Sequence, residues 1–251
     1  MLSLAQRQAI AAHDARYLAL PLQAGSDPGS MAAHLRQVAR RLRDGSCREA
    51  VTYLTELYDR SVTPRDDLAC ARGCAYCCMQ TVVVTEAEAF AVAAQVKSQA
   101  LAQMLRDAPR QRLGQPRSEW RPCPLLTEDK ACAVYAARPL SCHGFVSFDL
   151  QACIGFFGGQ GIEASFTPKD RQTLLNLCRM MLCAAHLVTG HGEQRGHELT
   201  GAVAAILAMP DAEARWHRGE QVLKDVPQGP PIPPAFAAEI RRMADFVGPT
   251  L

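Results

Sequence analysis

Apolar positions along this chain recur mostly at helical spacing. Leu35, Val38, Ala39 and Leu42 fall three and four residues apart, and Val51, Leu54 and Leu57 keep the period, so a helical stretch is predicted over about 30–60. Residues 3–20 read the same way. Between them Pro21, Gly25, Pro28 and Gly29 mark a loop. One short β-branched run, TVVVT at 81–85, predicts a strand. Thr85 and Glu88 then make a capping-box pair that fixes a helix start at Glu86, with the helix expected to run to about Asp107. Thr167-Pro168 opens another helix, to about Thr189. A further one is expected over about 195–209, and a last one over about 234–246 after the proline-rich linker VPQGPPIPP. Residues 108–130, interrupted by Pro109, Pro116, Pro122 and Pro124, read as a connection, and GFVSFDLQACIGFFGGQG as a loop against the core. With no internal repeat and no βα alternation, the predicted fold is mostly α: helical layers around a loop-built site, with at most a short strand or two.

At 251 residues and 48% apolar, the chain can bury a sizeable core without disulfides. Its formal charge of +2, evenly spread, argues for no nucleic-acid face. The first twenty residues carry Arg7, His13, Asp14 and Arg16 inside their apolar pattern, so they lack a signal peptide's core, and no apolar run approaches a membrane span. These features predict a cytoplasmic protein acting on neither nucleic acid nor membrane. Thiols stay reduced in that compartment, so the 11 cysteines are better read as metal ligands than as a disulfide framework.

The cysteines fall in two blocks. The first, CARGCAYCC, holds Cys70, Cys74, Cys77 and Cys78; the second holds Cys123, Cys132 and Cys142, with Cys153 beyond it. Positions three and four apart share a face of a helical turn, so Cys70, Cys74 and Cys77 can converge, and Gly73 lets the loop bend between them. Thiolates held close together need a cation to neutralise them. Adjacent cysteines point to different sides, so Cys77 and Cys78 imply a structural thiol, two metals, or a cluster gripped from two directions. Arg121, Lys130 and Arg138 could offset thiolate charge, and Arg138, four residues before Cys142, is placed to donate hydrogen bonds to sulfur. Neither block alone fills two sites, so the two are expected to meet in space. Zinc and iron–sulfur both suit such donors.

Taken together, CxxxCxxCC, a short strand, a Thr-Glu-x-Glu helix start, CPLL and CAVYxxRPxxC resemble the CxxCxxCC cysteine-cluster family, the YkgJ-like zinc- or iron-chelating domain, over roughly 70–145. The resemblance implies a cysteine-rich metal site, with a flagellin lysine methylase as a distant relative of similar cysteine pattern. At His143 the sequence departs from the family, where relatives often carry Arg; this adds a candidate nitrogen ligand beside the last motif cysteine. Cys70, Cys74, Tyr76 and Cys77 also resemble the radical S-adenosylmethionine signature, but that family builds on repeated βα units, and only one short strand is visible here.

Other candidates carry structural readings. Cys178 and Cys183 sit in an apolar helix, where buried cysteines are ordinary, and His186, three residues after Cys183, reads as a core histidine. His191 and His197 flank a glycine-rich turn and are expected at the surface. The glycines at 158–161 lack the Lys-Ser/Thr of a phosphate loop, and no serine triad or paired carboxylates stand out as catalytic. Three segments are expected: an N-terminal helical segment, 1–62; a cysteine-cluster core, 63–225; and a linker with a C-terminal helix, 226–251. The predicted function is binding of an iron–sulfur cluster or zinc, in redox chemistry, metal handling or protein modification, with a protein or redox partner. The alternative is a non-catalytic, zinc-stapled helical interaction protein.

Overall fold

This computed structural model describes residues 28–62, 64–108, 113–116, 119–158, 167–193 and 195–248. The helix expected at 3–20 lies outside them. Helix α1 (Pro28–Asp44) buries Leu35, Val38, Ala39 and Leu42, the stripe the sequence marks, together with Ala32. The predicted run over 30–60 breaks once, at Gly45–Ser46. A Cβ on Gly45 would sit 2.2 Å from Glu49 Oε2 and 3.0 Å from Arg41 O, so a larger residue there would displace the Glu49 carboxylate from the cap. Ser46 then caps α2 (Cys47–Ser61) in a full capping box with Glu49.

Strand β1 (Val83–Val84) is where the β-branched run places it, and its antiparallel partner is β2 (His197–Glu198), with Val83 opposite Glu198. The helix expected from about 195 therefore begins later, as α8 (Leu199–Ala208), capped by the buried Glu198 carboxylate, which accepts from Gly201 N at 2.7 Å. Thr85 and Glu88 form their capping box at the start of α3 (Glu86–Ala93). The chain does not continue as one helix to Asp107. It turns over 94–98 and restarts as α4 (Gln99–Asp107), capped by Ser98. α3 is buried on every side and α4 buries only Leu105, so one straight rod cannot serve both.

The short α5 (Leu140–His143) follows a 3-10 turn at Tyr135–Ala137. The loop expected around 150 is helical instead: residues Leu150–Phe157 form α6, capped by Asp149, which accepts from Ala152 N at 3.0 Å. The long α7 (Lys169–Val188) matches its predicted span and runs through the centre, packed on α1, α2, α5 and the terminal helix α10 (Pro234–Val247). A short α9 (Ala212–His217), not anticipated, brings Trp216 into the core. One buried cluster joins Ala32 of α1 to Val247 of α10. The fold is mostly α, with a two-stranded sheet. Among the described residues no helix is long and apolar enough to cross a membrane.

Candidate metal centre

Both cysteine blocks hang from the helical body by polar struts. Ahead of the first block, the Arg65 side chain is fully buried: it pairs with Asp67 at 2.9 Å and with Asp170 of α7 at 3.3 Å, and lies over the Phe148 ring at 4.3 Å. The chain then runs beside the 144–149 loop, with Ala69 N donating to Ser147 O at 2.8 Å and Ser147 N donating to Cys70 Sγ at 3.3 Å. Gly73 takes φ +84°, a left-handed conformation that glycine adopts without a Cβ clash, and turns the chain toward Cys74. Cys77 and Cys78 lie in a 3-10 turn, Tyr76–Met79, against which α6 packs, carrying the buried Cys153.

The second block joins the first through the backbone: Cys123 N donates to Cys78 O at 2.8 Å. Cys123 and Cys132 flank a tight turn closed by Thr127 N to Ala131 O at 2.8 Å and by a Leu126–Cys132 bridge. Cys142 lies on α5, and Glu88 anchors that helix. One Glu88 carboxylate oxygen accepts from Leu140 N at 2.9 Å, while the other accepts from Thr85 N at 2.8 Å and Thr85 Oγ1 at 3.0 Å. Glu88 is only 3% exposed, so it is a buried clamp between the start of α3 and the turn that carries Cys142.

The thiols act on one another electrostatically. Cys77 donates its thiol hydrogen to Cys78, which drives the Cys77 pKa up and the Cys78 pKa down. Cys142 is pushed up by burial, then by the negative charge Cys123, Cys78 and Cys132 would carry as thiolates. Burial, then Cys70 and Cys74 in the same way, raise Cys153, while burial and then Cys74 raise Cys70. Members of both blocks are thus close enough to oppose each other's ionisation. Arg138 counters this: its guanidinium stacks 3.8 Å over the Tyr135 ring and favours the Cys78 thiolate, and its buried Nε has no hydrogen-bond partner. The same positive charge also acts on Cys70 and Cys132.

Among the described residues, no three His, Cys, Asp or Glu side chains already surround one ion position. The donors nonetheless fit a thiophilic metal: sulfur from two chain segments, a Cys78 thiol biased toward thiolate, and buried neighbours such as Cys142 whose ionisation a cation would relieve. Cys70, Cys74, Cys77, Cys78, Cys123, Cys132, Cys142 and Cys153 would hold it. His143, the candidate nitrogen ligand, turns elsewhere: its Nε2 hydrogen-bonds Asp59 at 2.7 Å and its ring stands edge-on to Tyr58. Cys178 and Cys183 are buried in α7 with pKa values pushed up to about 12 by burial.

Residues 69–158 match the CxxCxxCC family, a putative zinc- or iron-chelating domain. The matched segment starts one residue before Cys70 and ends at Gly158, which closes α6, so it contains all eight cysteines. The match supports metal binding by this segment, zinc or iron alike. No curated protein and no solved structure matches the chain.

Sequence reasoning missed several contributors. Ser147 gave no signal, because its role comes from its backbone N–H. Glu88 was visible only as half of a capping box; its second oxygen serves a residue 52 positions away. The two histidines expected at the surface are not free there. His197 is 5% exposed with Nε2 4.0 Å from Glu86 Oε1, and His191 stacks on Trp216 at 3.7 Å between centroids.

Proposed function

We propose that residues 69–158 chelate zinc or an iron–sulfur cluster through cysteine thiolates, and that the loaded centre serves redox chemistry or metal handling in the cytoplasm together with a protein partner. The observation that carries this reading is the junction of the two blocks, where Cys123 N bonds Cys78 O and the thiols of Cys78, Cys123, Cys132 and Cys142 lie within electrostatic reach. A bound thiophilic metal supplies either a closed structural cross-link or, as iron–sulfur, one-electron chemistry. The chain's own residues do the rest. Arg138 offsets thiolate charge, Ser147 N donates to Cys70 sulfur, and the exposed Cys70 gives a partner access to the centre.

Cys123 and Cys132 pack against the helical core, which favours a second role at that end, a metal staple holding the loop region to the helices. The test is purification without oxygen, followed by metal and sulfide analysis and a visible spectrum. Brown protein with stoichiometric sulfide supports iron–sulfur, and colourless protein with bound metal supports zinc. Reduced protein with no stoichiometric metal refutes the reading.

A further inference from the structure

A single ion binds four protein ligands in a closed structural site, and eight cysteines are gathered here. Resting on the metal-binding reading above, we propose that they divide into two separate four-thiol centres: Cys70, Cys74, Cys77 and Cys153 in one, Cys78, Cys123, Cys132 and Cys142 in the other.

The division follows from backbone placement. Cys77 and Cys78 are successive residues of a 3-10 turn, whose three residues per turn set neighbouring side chains about 120° apart. Different elements meet the turn. α6 packs against it and brings Cys153; α6 starts beside Ser147, whose N–H holds Cys70 Sγ and whose carbonyl holds Ala69 N. Cys74 follows from Cys70 through the Gly73 turn, closed by Cys74 N to Ala71 O at 3.0 Å. These contacts gather Cys70, Cys74 and Cys153 by the Ser147 loop. Cys78 is joined to the other block, through Cys123 N to Cys78 O, the Leu126–Cys132 bridge, and the Glu88–Leu140 hydrogen bond that sets α5 and Cys142.

Cys77 apart, the electrostatic contacts divide the same way. Cys153 feels Cys70 and Cys74, and Cys142 feels Cys123, Cys78 and Cys132. Cys77 stands at the seam: its thiol touches that of Cys78, and it lies within reach of both Cys142 and Cys70. Only its inclusion with Cys70, Cys74 and Cys153 gives each group the four donors of a tetrahedral thiolate site. The first centre includes the exposed Cys70; in the second, no cysteine is fully exposed, and Cys123 and Cys132 pack against the core. The first centre exchanges its metal with solvent, and the second holds it.

The test uses the whole reduced chain, stripped of metal and titrated with Co²⁺ and with Zn²⁺ without oxygen. Two equivalents are expected, with the Co²⁺ spectrum of tetrahedral sulfur coordination at both. Cys74→Ser is expected to lose one equivalent and keep the other, and Cys132→Ser to lose the complementary one. Removal of Zn²⁺ from the unmutated chain by a chelator is expected in two phases of equal amplitude, a readout that needs no variant. Saturation at one equivalent, or loss of all metal in Cys74→Ser while its helical circular dichroism is unchanged, overturns the division and leaves metal binding standing. Failure of the unmutated reduced chain to bind either ion overturns the metal-binding reading itself.

Discussion

Replacing Glu88 by glutamine tests whether the buried clamp positions the second cysteine block. The carboxylate accepts three hydrogen bonds: from Thr85 N at 2.8 Å, Thr85 Oγ1 at 3.0 Å and Leu140 N at 2.9 Å, with one oxygen on each side. Glutamine keeps the shape but has a single oxygen. Whichever side that oxygen takes, the amide N–H₂ on the other side faces a backbone N–H, donor to donor. A buried donor left unsatisfied costs roughly 1–3 kcal/mol, and hydrogen bonds to a charged acceptor contribute about 1.5–3 kcal/mol, counted once between them. Glu88→Gln is therefore expected to destabilise by about 2–4 kcal/mol. Thr85→Ala is the control: it loses the cap hydroxyl, about 1 kcal/mol, and keeps the bond to Leu140. Urea denaturation of both variants, prepared without oxygen, measures the difference, and Zn²⁺ stoichiometry on the same samples reads the site. Metal is expected to fall in Glu88→Gln and hold in Thr85→Ala. Equal destabilisation by the two variants, with equal metal content, refutes the clamp.

Three further outcomes are expected. His186 is wholly buried, both ring nitrogens lack partners, and its pKa is lowered to about 3 by burial and then by His191. Below its unfolded pKa of about 6.5 the unfolded chain binds a proton that the folded chain refuses, so stability falls as pH drops, by roughly 1.4 kcal/mol per unit and about 2 kcal/mol at pH 5. Denaturation midpoints at pH 7 and 5 check this against His186→Phe, and an equal pH dependence in the variant refutes it. A Cβ at position 196 would sit 2.1 Å from Val83 Cγ1, so Gly196→Ala is expected to cost about 1–3 kcal/mol in thermal unfolding, with partial recovery when Val83→Ala is added. Cys178→Ser places a hydroxyl at a fully buried position and is expected to cost about 1–3 kcal/mol while leaving metal content unchanged; a drop in metal would make Cys178 a ligand.

Much of the helical body was legible because its signals are local. The stripe on α1, the span of α7 and the Thr85–Glu88 cap each lie within a few turns of sequence. What escaped notice has two physical causes. The break at Gly45–Ser46 carried its own signal, Ser-Cys-Arg-Glu, but the apolar period continues across it and hides the stop. α3 is buried all round, so no polar face marks its end, and its turn into α4 reads as more helix. The partner of β1 is set by a pairing over a hundred residues apart, which a two-residue strand at His197–Glu198 cannot announce.

The site divides along the same line. Spacing identifies which cysteines are candidates, because four thiols in nine residues have no ordinary packing role. It cannot say which thiols face each other, since that depends on Ser147 N, the cap at Asp149 and the second oxygen of Glu88. Each ends on a backbone N–H, which any residue but proline carries, so that half of the contact leaves no type-specific mark. The struts also have a consequence for function. Arg65 ties the first block to α7 through Asp170, and Glu88 ties the second to α3, so both cysteine blocks are fixed to helices of the same core. Metal that draws the sulfurs together must therefore work against a framed geometry: small displacements at Cys70 or Cys142 load these struts directly.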